Sequence, residues 1–201
     1  MVIYLVRHGQ TDWNVAYRLQ GNTDIPLNEN GISSAVQTGK GLKDIRFDAC
    51  YCSHLSRSRG TAAMILGENR AAEKPEIVTD TRIGEYRYGA WEGLYEVGEV
   101  DRVPYELKKV YWDTVEDVYL PEGAEPKRDF YRRVADFLND LYAEYADTDK
   151  NILVVTHGGV TMAVRYVLYG ELKGRISRNC EVLLLTPENG KLIISDSISF
   201  A

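Results

Sequence analysis

The chain has only three cysteines, Cys50, Cys52 and Cys180. That odd, small number argues against a disulfide framework and for reduced thiols in a cytoplasmic setting. No run of apolar residues approaches the eighteen or so that a membrane helix requires. The opening stretch Met1–Val6 is too short for a signal-peptide core, and no positive charge precedes it. Basic excess is also missing: the net charge is −6 and the pI about 5.2. Nucleic acid and anionic membranes, which select a basic face, are therefore not expected partners. No solenoid repeat or low-complexity tract is present. Neither a P-loop nor a dinucleotide glycine fingerprint occurs, and there is no Gly-x-Ser-x-Gly elbow and no His-Glu-x-x-His.

What is present is an ordinary globular composition, 44% hydrophobic and 27% charged over 201 residues, enough to bury a core without disulfides or metals. Short, often β-branched apolar runs at Val2–Val6, Ala49–Cys52 and Ile152–Thr156 read as buried strands. Cys50 and Cys52, two residues apart, share one strand face. Helical patterns lie between the strands. One is capped by Asn28 and runs to about Leu42, with Ile32, Ala35, Val36 and Leu42 inward. A second is capped by Ser53, with Leu55, Ala62, Ala63, Ile65 and Leu66 inward. A third spans Lys127–Tyr145, with Phe130, Val134, Phe137, Leu138 and Leu141 at steps of three and four. A fourth follows Gly159. Two final strands, Glu181–Leu185 and Lys191–Ile194, flank Pro-Glu-Asn-Gly, a hairpin signal. This alternation implies one α/β domain over residues 1–201. It is a three-layer sandwich whose mostly parallel central sheet contains an antiparallel strand. Residues 86–126 fit the alternation poorly and read as a short lid insertion.

Two strands end alike: Val-Ile-Tyr-Leu-Val-Arg7-His8-Gly9 and Ile-Leu-Val-Val-Thr-His157-Gly158-Gly159. In open α/β sheets ligands bind beyond the carboxyl ends of the strands. If the two strands are neighbours, both histidines face one pocket. The glycines allow close backbone approach, and the helix after Gly158 points its positive end into the same space. That favours an anion. The competing readings are structural histidines and a zinc site. No third metal ligand stands beside either histidine, and Arg7 next to His8 disfavours a cation.

Arg7-His8-Gly9-Gln10-Thr11-Asp12-Trp13-Asn14 resembles the signature of the histidine phosphatase superfamily, in its phosphoglycerate-mutase-like branch. The likeness continues in order through Gln20–Asn28, Ser53–Ala62, Glu85–Gly93 and Thr156–Gly159. The resemblance implies a metal-independent phosphomonoester hydrolase with no cofactor and a small-molecule phosphomonoester as its partner. His8 would be the nucleophile, carrying a phosphohistidine. Arg7, Arg57 and His157 would hold the non-bridging oxygens, and Glu85 would serve as acid and then base. Thr11, Asn14, Gln20, Gly21 and Gly158 would line the substrate site. Arg59 competes with Arg57 for the pocket. A helix turns about 200° over two residues, so only one can face it. His54 is left without a role, and the resemblance sets no oligomeric state.

Two alternatives come from other classes. A cofactor-dependent phosphoglycerate mutase would return the phosphoryl group to a bound sugar acid. An inactive phosphate-binding module would lack chemistry altogether. The mutases resemble longer chains with paired arginines after the acid, where this sequence offers only Lys108-Lys109. The segment Glu96–Asp129 carries ten acidic residues against five basic ones, and six of the fourteen tyrosines fall between Tyr86 and Tyr119. One reading is a solvated acidic face with aromatics packed onto the sheet. The sharper one is an aromatic, acidic lid that favours bulky monoesters over bisphosphates.

Overall fold

The computed structural model describes residues 1–98, 100–104, 114–117, 119–172 and 175–200. Six strands form one sheet: β1 (Val2–Arg7), β2 (Ala49–Cys52), β3 (Ile77–Thr79), β4 (Asn151–Thr156), β5 (Val182–Glu188) and β6 (Lys191–Ile198). Their spatial order is β3-β2-β4-β1-β5-β6. β3, β2, β4 and β1 run parallel, and β5 runs antiparallel to both β1 and β6. This is the expected mostly parallel sheet with an antiparallel strand.

Side chains alternate across the central strands, and both faces are covered. Ile3, Leu5, Ile152 and Val154 join one buried cluster. Tyr4, Val6, Leu153 and Val155 join the other, together with Cys50 and Cys52. Near-continuous apolar runs such as Ile-Leu-Val-Val follow from burial on two faces. Among the described residues the α-helices are α1 (Asp12–Val15), α2 (Glu29–Gly41), α3 (Ser56–Glu68), α4 (Lys127–Tyr145) and α5 (Gly158–Tyr169). α4 and α5 supply one cluster and α3 the other. Every expected inward residue of α4 is buried. Among the described residues no helix is long and apolar enough to cross a membrane.

Several elements differ from expectation. Ser53 does not cap α3. Leu55 occupies the N-cap without a side-chain bond, and the first helical N–H, of Ser56, is met instead by Asp24 Oδ1 at 2.8 Å. Ile32 is exposed, and α2 buries the small residues Gly31, Ala35, Thr38 and Gly39. A side chain at Gly39 would lie 3.0 Å from Ile65 Cα, so helix proximity, not apolar bulk, sets that face. The hairpin strands run longer than their apolar cores, joined by Asn189 and Gly190, both at positive φ, as a two-residue turn of this type requires. Pro187 is tolerated because it lies beyond the stretch of β5 that pairs with β1. The insertion is not wholly a surface cover: Tyr86, Tyr88, Trp91 and Val103 are buried in the main cluster. Its basic pair, Lys108 and Lys109, lies outside the described residues, as do Tyr105, Tyr111 and Trp112.

Candidate active site

The register of β1 against β4 sets Arg7 opposite Thr156, and the His8 N–H donates to Thr156 O at 2.8 Å. His8 and His157 therefore leave adjacent strand ends side by side, with ring centroids 5.0 Å apart. Both are buried. His8 Nδ1 lies 2.7 Å from Gly9 O. A carbonyl can only accept, so Nδ1 carries the proton and Nε2 keeps its lone pair. The backbone that carries the ring is fixed as well. Thr61 Oγ1 accepts from the Gly9 N–H at 2.9 Å, and Asn179 Nδ2 donates to His8 O at 2.9 Å. Gly9 is glycine because a Cβ there would sit 2.5 Å from Gly31 O, where the first turn of α2 packs.

His8 lines a cleft of about 470 Å³ together with Arg7, Asn14, Gln20, Gly21, Arg57, Glu85 and Gly158. Arg57 is fully buried while Arg59 is exposed, which settles which of the two faces inward. Arg57 donates to Gly21 O at 2.7 Å and Thr23 O at 2.9 Å, so the guanidinium also fixes the Gln20–Thr23 loop. Arg7 donates to Ser177 O at 2.7 Å. Its Cζ would be 3.3 Å from a Cβ at Gly158, so that glycine lets the guanidinium lie against the first turn of α5. Glu85 is held by two backbone donors, Tyr86 N–H on Oε1 at 2.9 Å and Gly159 N–H on Oε2 at 3.1 Å.

Thr11 does not line the cleft. It is fully buried and caps α1, and its hydroxyl is taken up by Gln20 Oε1 and the capping box with Asn14. His54 stays outside too. It bonds Asn22 Oδ1 and packs under Gly84.

Four supporting residues were not anticipated. Glu92 accepts from the N–H groups of Asn22, Thr23 and Tyr88, holding the Gln20–Thr23 loop where Gly21 adopts a φ of 55°. Arg133 of α4 donates to the carbonyls of Arg82, Gly84 and Glu85 and pairs with Glu125 at 2.7 Å, clamping the loop that carries Glu85. Asn179 and Thr61 are the other two. Trp13, Tyr17, Arg18, Tyr88, Glu96 and Ile176 also stand in the wall.

Polar atoms in and beside the cleft wait for a partner. Among the described residues, Arg7 Nε and Arg57 Nε are buried without one, as are both ring nitrogens of His157, which stands against the His8 ring and is not itself among the residues lining the cleft. Such orphans are costly, and they point to a ligand that satisfies them. Convergent guanidinium groups and imidazoles suit a tetrahedral oxyanion. Among the described residues no group of three or more His, Cys, Asp and Glu is arranged to hold a metal ion.

Burial, then the charges of Arg57 and Arg7, holds His8 well below the usual histidine value of 6.5. Burial, Arg57, His8 and Arg7 do the same to His157. Both are neutral in the folded chain, whereas the unfolded chain protonates them near 6.5. As pH falls below that value the unfolded state binds more protons, so stability falls. Each buried imidazole should cost up to about 1.4 kcal/mol per pH unit. Urea midpoints in phosphate-free buffer should drop steadily from pH 7 to 5, above the range where carboxylates titrate. A flat profile would show that the histidines titrate in the fold as they do in the unfolded chain.

The model of the histidine phosphatase superfamily (branch 1) matches residues 3–196. The chain is 34% identical over 165 residues to the metal-independent phosphoserine phosphatase of Arabidopsis thaliana, an alignment covering 81% of this chain and 66% of that protein. It thus spans just under two thirds of that relative's length. A 2,3-bisphosphoglycerate-dependent phosphoglycerate mutase of Methylobacterium sp. (strain 4-46) is 34% identical over 172 residues, 84% of this chain and 81% of that one. Among solved structures, a phosphoserine phosphatase variant from Entamoeba histolytica in complex with phosphoserine aligns with a TM-score of 0.80 at 25% identity, covering 99% of this chain and 97% of that chain.

Proposed function

The chain belongs to the histidine phosphatase superfamily, and from that premise we propose that it is a metal-independent phosphomonoester hydrolase working through a phosphohistidine on His8. The observation that carries this reading is the tautomer of His8. With Nδ1–H donated to Gly9 O, the lone pair of Nε2 is available at the cleft without any preceding proton transfer. Nε2 attacks phosphorus, the P–O bond to the alcohol breaks, and its electron pair goes to the departing oxygen. Glu85, protonated for this step, gives its proton to that oxygen. In the second half the Glu85 carboxylate takes a proton from water, whose oxygen attacks phosphorus. The P–N bond breaks, and inorganic phosphate leaves.

Charge on the equatorial oxygens collects where Arg7, Arg57 and His157 hold their unpartnered nitrogens. A bound dianion would favour the imidazolium form of His157, reversing the effect of burial. The two guanidinium groups supply the positive charge that a metal provides in other phosphoryl-transfer sites, which supports a metal-independent reaction. Asn14, Gln20, Gly21 and Gly158 complete the cradle, while Thr11 positions Asn14 and Gln20 from below.

Hydrolysis is preferred over mutase chemistry because of the far end of the cleft. A mutase must retain a sugar acid while its phosphoryl group is parked on His8, which calls for cations to hold the carboxylate. Beyond Arg7 and Arg57, the one other described cation on the wall is Arg18. It is already engaged with Gly93 O and stacked 4.1 Å from the Tyr95 ring, and Glu96 stands nearby on the same wall.

Activity against phosphomonoesters should survive EDTA and be strongly inhibited by vanadate, since mimics of the transferring phosphoryl group bind far more tightly than substrates. Loss with EDTA and recovery with zinc or magnesium would overturn the mechanism. Conversion of 3-phosphoglycerate to its 2-isomer in place of phosphate release would establish the mutase.

A further inference from the structure

A second cavity, of about 160 Å³, opens off the catalytic cleft between α4 and α5. The two share Tyr88, Gly159 and Ile176 in their walls. The rest of the lining is chiefly apolar: Tyr86, Phe130, Tyr131, Met162 and Leu172. Two features keep polar groups out of it. The Tyr86 hydroxyl is turned to Glu125 O, and Lys127 Nζ donates to Thr114 O at 2.8 Å. Ile176 is 48% exposed at the junction, an apolar side chain left in water beside an otherwise charged cleft.

The junction lies at the carboxylate that must protonate the departing alcohol. Gly159 N–H holds Glu85 Oε2 at 3.1 Å, and a Cβ at Gly159 would fall 2.3 Å from Glu85 Oε1. An ester oxygen within reach of Glu85 therefore has its carbon substituent next to Gly159 and Ile176, at the entrance of the apolar cavity. Size sets the kind of substituent. A dry cavity of about 150 Å³ accommodates a benzene ring, so this one takes a single ring or a short branched alkyl group and excludes a bicyclic one. Polar alcohols such as serine or a sugar would leave their ammonium, carboxylate or hydroxyl groups unpaired there.

Building on the hydrolase reading above, we propose that this cavity is the leaving-group subsite, and that the enzyme selects monoesters whose alcohol carries one compact apolar group, of which benzyl phosphate is the probe. Met162, half-buried in the cavity wall and outside the Arg–His cluster, is the residue with which to alter it.

The test compares kcat/KM for benzyl phosphate, 2-naphthylmethyl phosphate and phosphoserine in three proteins. The unaltered enzyme should prefer benzyl phosphate to either of the others by about tenfold or more, the range that a well-fitted apolar pocket gives. Met162→Trp fills the cavity and should lower the benzyl-to-phosphoserine ratio by about tenfold. Met162→Ala enlarges it and should raise the naphthylmethyl-to-benzyl ratio by about fivefold or more. Because the two variants push in opposite directions, a folding defect in one does not remove the test. Phosphoserine turned over as well as benzyl phosphate by the unaltered enzyme, or all three esters moved by the same factor in the variants, would overturn the subsite and leave the hydrolase standing. Absence of turnover with every ester, p-nitrophenyl phosphate included, would overturn the hydrolase reading and the subsite with it.

Discussion

Replacing His8 by alanine should abolish turnover, by at least about four orders of magnitude, because no other group can carry the phosphoryl group. The neighbouring histidine cannot substitute. Neither ring nitrogen of His157 is oriented by a partner, so no tautomer is fixed that would hold a lone pair ready for attack. The fold should survive, since the strand that carries His8 is held by β4 and β5 along its length. Rapid-quench labelling with a radioactive phosphoester is the direct measurement. The unaltered enzyme should acquire a label that is lost in acid and stable in base, as a phosphoramidate is. In His8→Ala no label should form, while vanadate should still protect the protein against thermal unfolding through Arg7 and Arg57. An acid-stable label, or one that persists in His8→Ala, would assign the nucleophile to another residue.

Glu85→Gln separates the two halves of the reaction. Loss of general acid–base catalysis costs about 10² to 10⁴ in rate, and the cost falls where the proton is needed. With an alkyl ester, the first transfer stalls because the alkoxide leaves unprotonated. An activated ester such as p-nitrophenyl phosphate expels its phenolate without help. His8 should then be phosphorylated at close to the normal rate, and the slow step becomes attack by a water that has lost its base. The labelled intermediate should therefore accumulate in Glu85→Gln with the activated ester and not with the alkyl one. Glutamine preserves an oxygen for the Tyr86 or Gly159 N–H, so the loop is not expected to collapse. Equal losses with both esters and no accumulation would remove Glu85 from proton transfer.

How much of this could be read in the chain depended on how local the signal was. α4 was legible to the residue because five apolar side chains at steps of three and four describe one helix face, and that face is the one buried. The repeated His-Gly at the ends of two apolar runs placed both histidines, since parallel neighbours end at the same edge of a sheet. β3 was not legible: three residues, two of them exposed, carry no periodicity. Glu92, Arg133 and Asn179 were invisible for a different reason. Each looks like a surface polar residue, and its role depends on partners far away in sequence: the Asn22–Thr23 loop, the Arg82–Glu85 turn and the His8 carbonyl. Thr11 shows the converse. Its place in the motif suggested contact with substrate, but a threonine before a short helix with asparagine three residues on is also a cap, and the structure uses it that way. The tyrosines of the insertion leave two readings in the sequence, packing onto the sheet or an aromatic lid. Tyr86 and Tyr88 sit in the core, as the first has it, and what they offer a substrate is the wall of an internal cavity.

The position of β1 also governs how the protein comes into being. β1 precedes the other strands of this sheet in sequence yet lies between β4 and β5, and Val2 must wait for Asn151, and Val6 for Val182, before either edge is hydrogen-bonded. Until then an apolar hexapeptide with two open edges has no place in any sheet, a hazard for association with other nascent chains. Pairings this distant in sequence also slow folding, because the entropy of closing the long loop is lost before any contact repays it. His8 and His157 therefore reach one another only when β4 and β5, from the far half of the sequence, have closed on β1.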